Sequence, residues 1–144
     1  MCLIVDANSV SQVFLKRKAK FERLHRAIVV GKARLVYGGE LTREYRKICA
    51  FWRLLVTLDR QGVARQVDGG RVDRETDRLR ATNACRSDDP HIIALARVAQ
   101  ARLICSDDQK LREDVRDPEL LANPRGNIYN ESDHQRLLRK HCTE

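Results

Sequence analysis

"DDPHIIALARVAQARLICSDD" (residues 88–108) sets a helix and a strand back to back, with a pair of aspartates at either end. Pro90 suits the first position of a helix, and an Asp before it can accept the orphan N–H groups of the first turn. A helix is therefore expected to begin there. Ile92, Ile93, Ala94, Leu95, Ala96 and Val98 leave it almost no polar face, which predicts a buried helix. "ARLICS" (101–106) then reads as a short buried strand. One carboxylate is enough to cap a helix, so the second of the pair at 88–89 asks for another explanation.

The same alternation runs outward in both directions. "CLIV" (2–5) is a β-branched apolar run with the length of a buried parallel strand. A helix is expected from about Ser9, and another within "KFERLHRAIVVGK" (20–32). "ARLVY" (33–37) is a second strand, closed by Gly38 and Gly39. One long helix is predicted from Glu40 to about Asp59, with Leu41, Tyr45, Ile48, Trp52 and Leu55 on one face and Arg43, Arg46, Lys47 and Arg53 largely opposite. "GVARQV" (62–67) is a strand or extended linker, "DGG" (68–70) a turn, and "VDRETDRLRA" (72–81) a polar, exposed helix. "DQKLREDV" (108–115) is a further helix and "NIYN" (127–130) a last edge strand. Strands alternating with helices predict a parallel sheet with right-handed crossovers and helices on both faces. The expected architecture is one three-layer α/β/α domain over 1–144, its core at about 2–130 and a basic helix over 131–144.

At 144 residues the chain can bury a core without disulfides. Cys2, Cys49, Cys85, Cys105 and Cys142 are scattered and odd in number, with no C-x-x-C. They are expected to be reduced, mostly buried thiols of a cytoplasmic protein. No stretch approaches the ~20 apolar residues of a membrane span. The net charge of +8 is concentrated in "LKRKAKFERLHR" (15–26), with six Lys or Arg against one Glu, in the stripe Arg43, Arg46, Lys47 and Arg53, and in the tail "HQRLLRKH" (134–141). Such clusters suit a phosphate backbone and carry no base specificity.

Ligands of parallel sheets sit beyond the carboxyl ends of the strands, and the acids collect at those ends. Asp6 ends "CLIVD", Asp107 and Asp108 end "LICSDD", Glu40 and Glu44 ride the helix after "ARLVYGG", and Asp88 and Asp89 open the buried helix. Carboxylates so clustered repel unless a cation neutralises them. An oxygen-rich site suits Mg²⁺ or Mn²⁺ better than zinc. One or two such ions, about 4 Å apart when paired, activate water and stabilise the leaving oxygen of a phosphodiester. With a basic surface, this points to a nuclease. The four histidines are dispersed and form no metalloprotease motif, and His91 is expected to pack or to reach solvent near its helix start. Neither "YGGE" nor "DGGR" makes a nucleotide-binding fingerprint.

Over roughly residues 2–130 these motifs resemble the PIN-domain family of metal-dependent ribonucleases, which includes the toxin halves of many bacterial toxin–antitoxin pairs. "LIVDANSV" (3–10) is similar to the family's first strand, which implies Asp6 as a metal ligand and Asn8 as a supporting hydrogen-bond partner. "YGGELTREYRKI" (37–48) resembles the strand-then-helix segment whose acid precedes an aromatic or apolar residue. That pattern selects Glu44 over Glu40, with the Gly pair standing where Ser or Thr is often found. "DDPHIIALA" (88–96) resembles the third motif, and the register of its alanines favours Asp89; Asp88 then deepens the negative potential or exchanges roles as the cap. "LICSDD" (103–108) resembles the fourth, which implies Asp108 as the acid and Ser106 as its support.

The resemblance implies that Asp6, Glu44, Asp89 and Asp108 hold Mg²⁺ or Mn²⁺, and that metal-activated water cleaves single-stranded RNA to leave a 5′-phosphate. For a toxin it further implies an antitoxin partner, and family habit suggests a homodimer. The alternatives are an RNA-processing or structure-selective DNA nuclease of the same fold, and a nucleic-acid-binding module without catalysis.

Overall fold

The structure, a computed structural model, describes residues 1–143. Five strands form one wholly parallel sheet: β1 (Leu3–Val5), β2 (Leu35–Tyr37), β3 (Ala64–Gln66), β4 (Leu103–Cys105) and β5 (Asn127–Ile128), in the spatial order β3-β2-β1-β4-β5. Leu3 is paired with Leu35 on one side and Leu103 on the other, and Val5 with Cys105. Every residue of β1 and β4 is buried, as covering on both faces requires of central parallel strands. From β1 the chain builds β2 and β3 to one side, then crosses back to lay β4 on the other. The order thus reverses between β1 and β4, the position where sheets of this kind form a ligand crevice at the carboxyl ends.

Seven α-helices connect and flank the strands: α1 (Glu22–Val29), α2 (Glu40–Arg46), α3 (Cys49–Arg60), α4 (Gly69–Ala81), α5 (Pro90–Ala99), α6 (Gln109–Arg116) and α7 (His134–Cys142). Crossovers stepping in opposite directions along the parallel sheet place helices around it, giving the expected three-layer α/β/α domain. On one face Phe14, in a short helical segment before α1, packs against Phe51 of α3 at 4.9 Å and edge-on to His25 of α1 at 6.0 Å. On the other, α4 lies along α5, joined by Arg97 donating to Glu75 at 2.7 Å.

Three elements differ from expectation. The helix foreseen over Glu40–Asp59 breaks at Lys47 and Ile48 into α2 and α3. The break lets Tyr45 and Phe51 meet edge-to-face at 4.8 Å inside the core. Trp52 is left half-buried, with the Arg46 guanidinium 5.2 Å above its ring. "DGG" is not a free turn: Asp68 caps α4 by accepting from Gly70 N–H at 2.9 Å, and the glycines form the first turn. The polar helix α4 also buries a stripe, Val72, Thr76 and Leu79, at helical spacing.

The cysteines depart from expectation as well. Cys2, just before β1, and Cys142, at the end of α7, are joined by a disulfide, and Cys49 is exposed. The distance of 140 residues along the chain hides this pairing from any reading of spacing. It ties the C-terminal helix to the central strand. Among the described residues no helix is long and apolar enough to cross a membrane.

Candidate metal centre

β1 delivers Asp6 into the crevice between β1 and β4. Its N–H donates to the Cys105 carbonyl at 3.0 Å, continuing the strand pairing by one residue, and its side chain is 3% exposed. Ser106, the residue following β4, donates its hydroxyl to Asp6 Oδ2 at 2.9 Å. The expectation that Ser106 supports a site acid holds in kind, but it fixes Asp6; towards Asp108 it offers only an acceptor, taking the Asp108 N–H at 3.1 Å.

Glu44 arrives on α2. Gly39 opens this helix at φ +61°, a conformation that side chains rarely adopt, and a Cβ there would sit 2.8 Å from Val72. Backbone approach therefore explains Gly where a hydroxyl residue was looked for. Tyr45, buried beside Glu44, donates its hydroxyl to the Val5 carbonyl and so locks α2 to the end of β1. Glu40, one turn earlier, is gripped by Arg80 of α4 on both oxygens at 2.6 and 3.0 Å, with one of them also 3.3 Å from His91 Nδ1. That guanidinium holds Glu40 below the ordinary carboxylate range. Of the two glutamates, Glu44 is the one left to the crevice.

Asp89 directly precedes α5 yet makes no side-chain cap bond. Its carboxylate is thereby free to face Glu44 and His91, and ligand atoms of these three residues lie within 4.8 Å of one another. Asp88 is exposed and makes no hydrogen bond among the described residues. Asp108 does cap its helix, accepting from Lys110 and Leu111 N–H at 3.0 and 3.3 Å, and its charge reaches Asp89. Asp107 points outward to Gln12 at 3.2 Å and Arg112 at 3.5 Å. Asn8 is exposed and makes no side-chain hydrogen bond among the described residues. The structure thus gathers Glu44 and Asp89 with His91, sets Asp6 near enough to feel the charges of Asp89 and Glu44, keeps Asp108 at the margin as a cap, and leaves Asn8 and Asp88 exposed.

The cluster carries strained charge. Burial, together with the negative charges of Asp89 and Glu44, raises the Asp6 carboxyl above its ordinary pKa, although the Ser106 hydrogen bond works the other way. Burial likewise raises Asp89; His91 lowers it, and Glu44, Asp108 and Asp88 add to the rise. Such groups stay ionised together only beside a positive charge.

Two participants escape the sequence motifs. His91, 3% exposed, shares a 2.7 Å hydrogen bond with Glu44 through Nε2, while Nδ1 is buried without a hydrogen-bond partner, 3.3 Å from Glu40. Burial disfavours the imidazolium, but the Glu44 hydrogen bond and the charges of Glu44, Glu40 and Asp89 outweigh it and raise its pKa. The available signal was one histidine in the first turn of an otherwise apolar helix. Asp114 of α6 is fully buried and accepts the N–H groups of Arg86 and Ser87 at 2.9 and 3.0 Å, pinning the loop that ends in Asp89. Its place beside Leu111 and Val115 on the apolar face of α6 is legible as a pattern.

The Glu44 and Asp89 carboxylates, from separate segments, and the His91 imidazole form a donor set that fits a divalent cation. Fold and site together define a single-domain parallel α/β/α protein with an acidic cluster at its topological switch point. No protein-family model matches the chain, and neither a curated protein nor a solved structure matches it.

Proposed function

We propose that this chain is a PIN-like endoribonuclease that hydrolyses RNA phosphodiester bonds with Mg²⁺ or Mn²⁺, and that it serves as the toxin of a toxin–antitoxin pair. The reading is carried by one observation: ligand atoms of Glu44, Asp89 and His91 lie within 4.8 Å of one another beside the end of β1, where the buried Asp6 feels the charges of Asp89 and Glu44, and Asp89 is uncommitted to its helix. Held by Asp6, Glu44, Asp89 and the free oxygen of Asp108, the ion would supply Lewis acidity and an ionised water. The chain's own groups do the positioning. Ser106 fixes Asp6, Tyr45 fixes the helix bearing Glu44, and Asp114 fixes the loop bearing Asp89. No side-chain nucleophile is required. Exposed Lys and Arg would draw in the phosphate backbone, making affinity fall steeply with salt.

RNA incubated with wild type and Asp6→Asn, in Mn²⁺ and in EDTA, tests this. New 5′-phosphate ends are expected only with wild type and metal; equal metal-dependent cleavage by Asp6→Asn would refute the assignment. Parallel digestion of single-stranded RNA, tRNA and flapped DNA separates the RNA enzyme from a DNA nuclease. One observation favours a silent binding module instead: Glu44 is bonded to His91 and Asp108 is spent partly on its cap. That reading predicts no heat of Mn²⁺ binding in calorimetry. A small gene adjoining this one would support the antitoxin, and light scattering would report the homodimer expected of such proteins.

A further inference from the structure

A cavity of about 760 Å³ lies between α1 and α7, at the amino ends of β1 and β2 and so at the opposite edge of the sheet from Asp6. Arg23, Lys32 and Arg139 line it, and no acidic residue does among those described. Several cations elsewhere are paired with acids, Arg80 with Glu40, Arg43 with Asp73, Arg97 with Glu75 and Arg86 with Asp117. Arg23, Lys32 and Arg139 form no ion pair among the described residues. A second hollow of about 310 Å³ continues the first, sharing Arg23 and Arg139 and adding Arg136, which is paired there with Asp133 at 3.2 Å. Met1, Leu138 and the Cys2–Cys142 disulfide give the wall an apolar portion, and Arg34, His134, Gln135 and His141 a polar one.

We infer that this cavity is a binding site for a phosphorylated nucleotide unit. Three uncompensated cations converging on a concavity create a field that an anion relieves, and phosphate oxygens match the donors of two arginines. The volume falls within the roughly 300–1,000 Å³ typical of small-ligand sites, which suits one nucleotide better than a polymer track. Met1, Leu138 and the disulfide offer the apolar surface that a base or ribose needs. Both histidines in the wall are kept towards the neutral form, His134 partly by the cavity's own Arg23. Burial and the Arg23 charge lower His134, and burial with Lys140, Arg136 and Arg102 pushes His141 down to about 4. The inference does not depend on RNA cleavage at the acidic site.

Binding measured by calorimetry in EDTA tests it, with AMP, adenosine, and a short oligoadenylate with and without a 5′-phosphate as probes. Phosphorylated probes are expected to bind at least about tenfold more tightly than their unphosphorylated counterparts. Arg23→Glu with Arg139→Glu should lose at least about tenfold in affinity, whereas Arg60→Glu with Arg65→Glu, an equal charge change on exposed residues elsewhere, should lose none. Saturation by AMP identifies a free nucleotide as the ligand; binding of the phosphorylated oligonucleotide alone identifies an RNA end. The inference is overturned if no phosphorylated probe binds, or if the two charge-reversed pairs weaken binding equally. Asp6→Asn should bind as wild type does; a loss there would place the ligand at the acidic site and also overturn it. Circular dichroism of each variant confirms that the fold is kept.

Discussion

Burial and the charges of Asp89 and Glu44 raise the Asp6 carboxyl, and Asp89 is raised as well, so the folded protein holds protons that the unfolded chain has already released. The sign of the linkage follows. As pH rises from the ordinary value of 3.8 through each raised value, these two groups withdraw stability, and at neutral pH the whole penalty is present. Asp6→Asn removes one charge yet keeps an oxygen for Ser106. The metal-free variant is expected to melt higher than wild type at pH 7, with the difference disappearing below the ordinary carboxylate range. A divalent cation should reverse that order by stabilising wild type alone. Its thermal shift should also fade in acid, where its ligands are protonated. A Mn²⁺-induced shift of equal size in Asp6→Asn would contradict the assignment of Asp6. Asp114 tests positioning at the same scale. Asp114→Asn replaces one accepting oxygen by a donor against a buried N–H, which costs about 1–3 kcal/mol. Chemical denaturation should show that loss, and calorimetry a weaker Mn²⁺ affinity, because the Asp89 loop is untied.

At the level of elements, Gly39 decides how closely α2 approaches α4. Gly39→Ala would force a positive φ on a residue with a Cβ and drive that atom to 2.8 Å from Val72. A loss of about 1–3 kcal/mol is expected, read as a lower denaturant midpoint. The elements themselves were largely legible, because apolar runs of strand length and helical periodicity are local signals. β1, β2, β4, α5 and α6 fall where those signals put them. The break between α2 and α3 was not legible, since Tyr45 and Phe51 need it only in order to meet each other. Asp68 and the buried stripe of α4 were obscured by polar neighbours. Among the site residues, Asp6 stood out because it ends a recognisable strand, whereas Glu44 over Glu40 and Asp89 over Asp88 were singled out by the family resemblance. His91 and Asp114 did not, because their partners lie on other elements.

For the molecule as a whole, the Cys2–Cys142 disulfide closes nearly the entire chain into a loop. Cross-links of that span restrict the unfolded chain, and losing this one is expected to cost about 2–4 kcal/mol. Cys2→Ser should lower the denaturant midpoint accordingly while leaving Mn²⁺ affinity unchanged, since the acidic cluster lies at the other edge of the sheet. Equal loss of metal binding would show that α7 communicates with the crevice. By itself the sequence determined the class of fold, the alternation of strand and helix, and the delivery of acids to one rim, because periodicity and strand-end position are written locally. Only the tertiary structure decided which acid of each pair turns inward, that His91 joins them, that Ser106 serves Asp6, and that unpaired cations gather between α1 and α7. Those outcomes depend on pairings between residues far apart in the chain, and such pairings exist only once the sheet has brought them together.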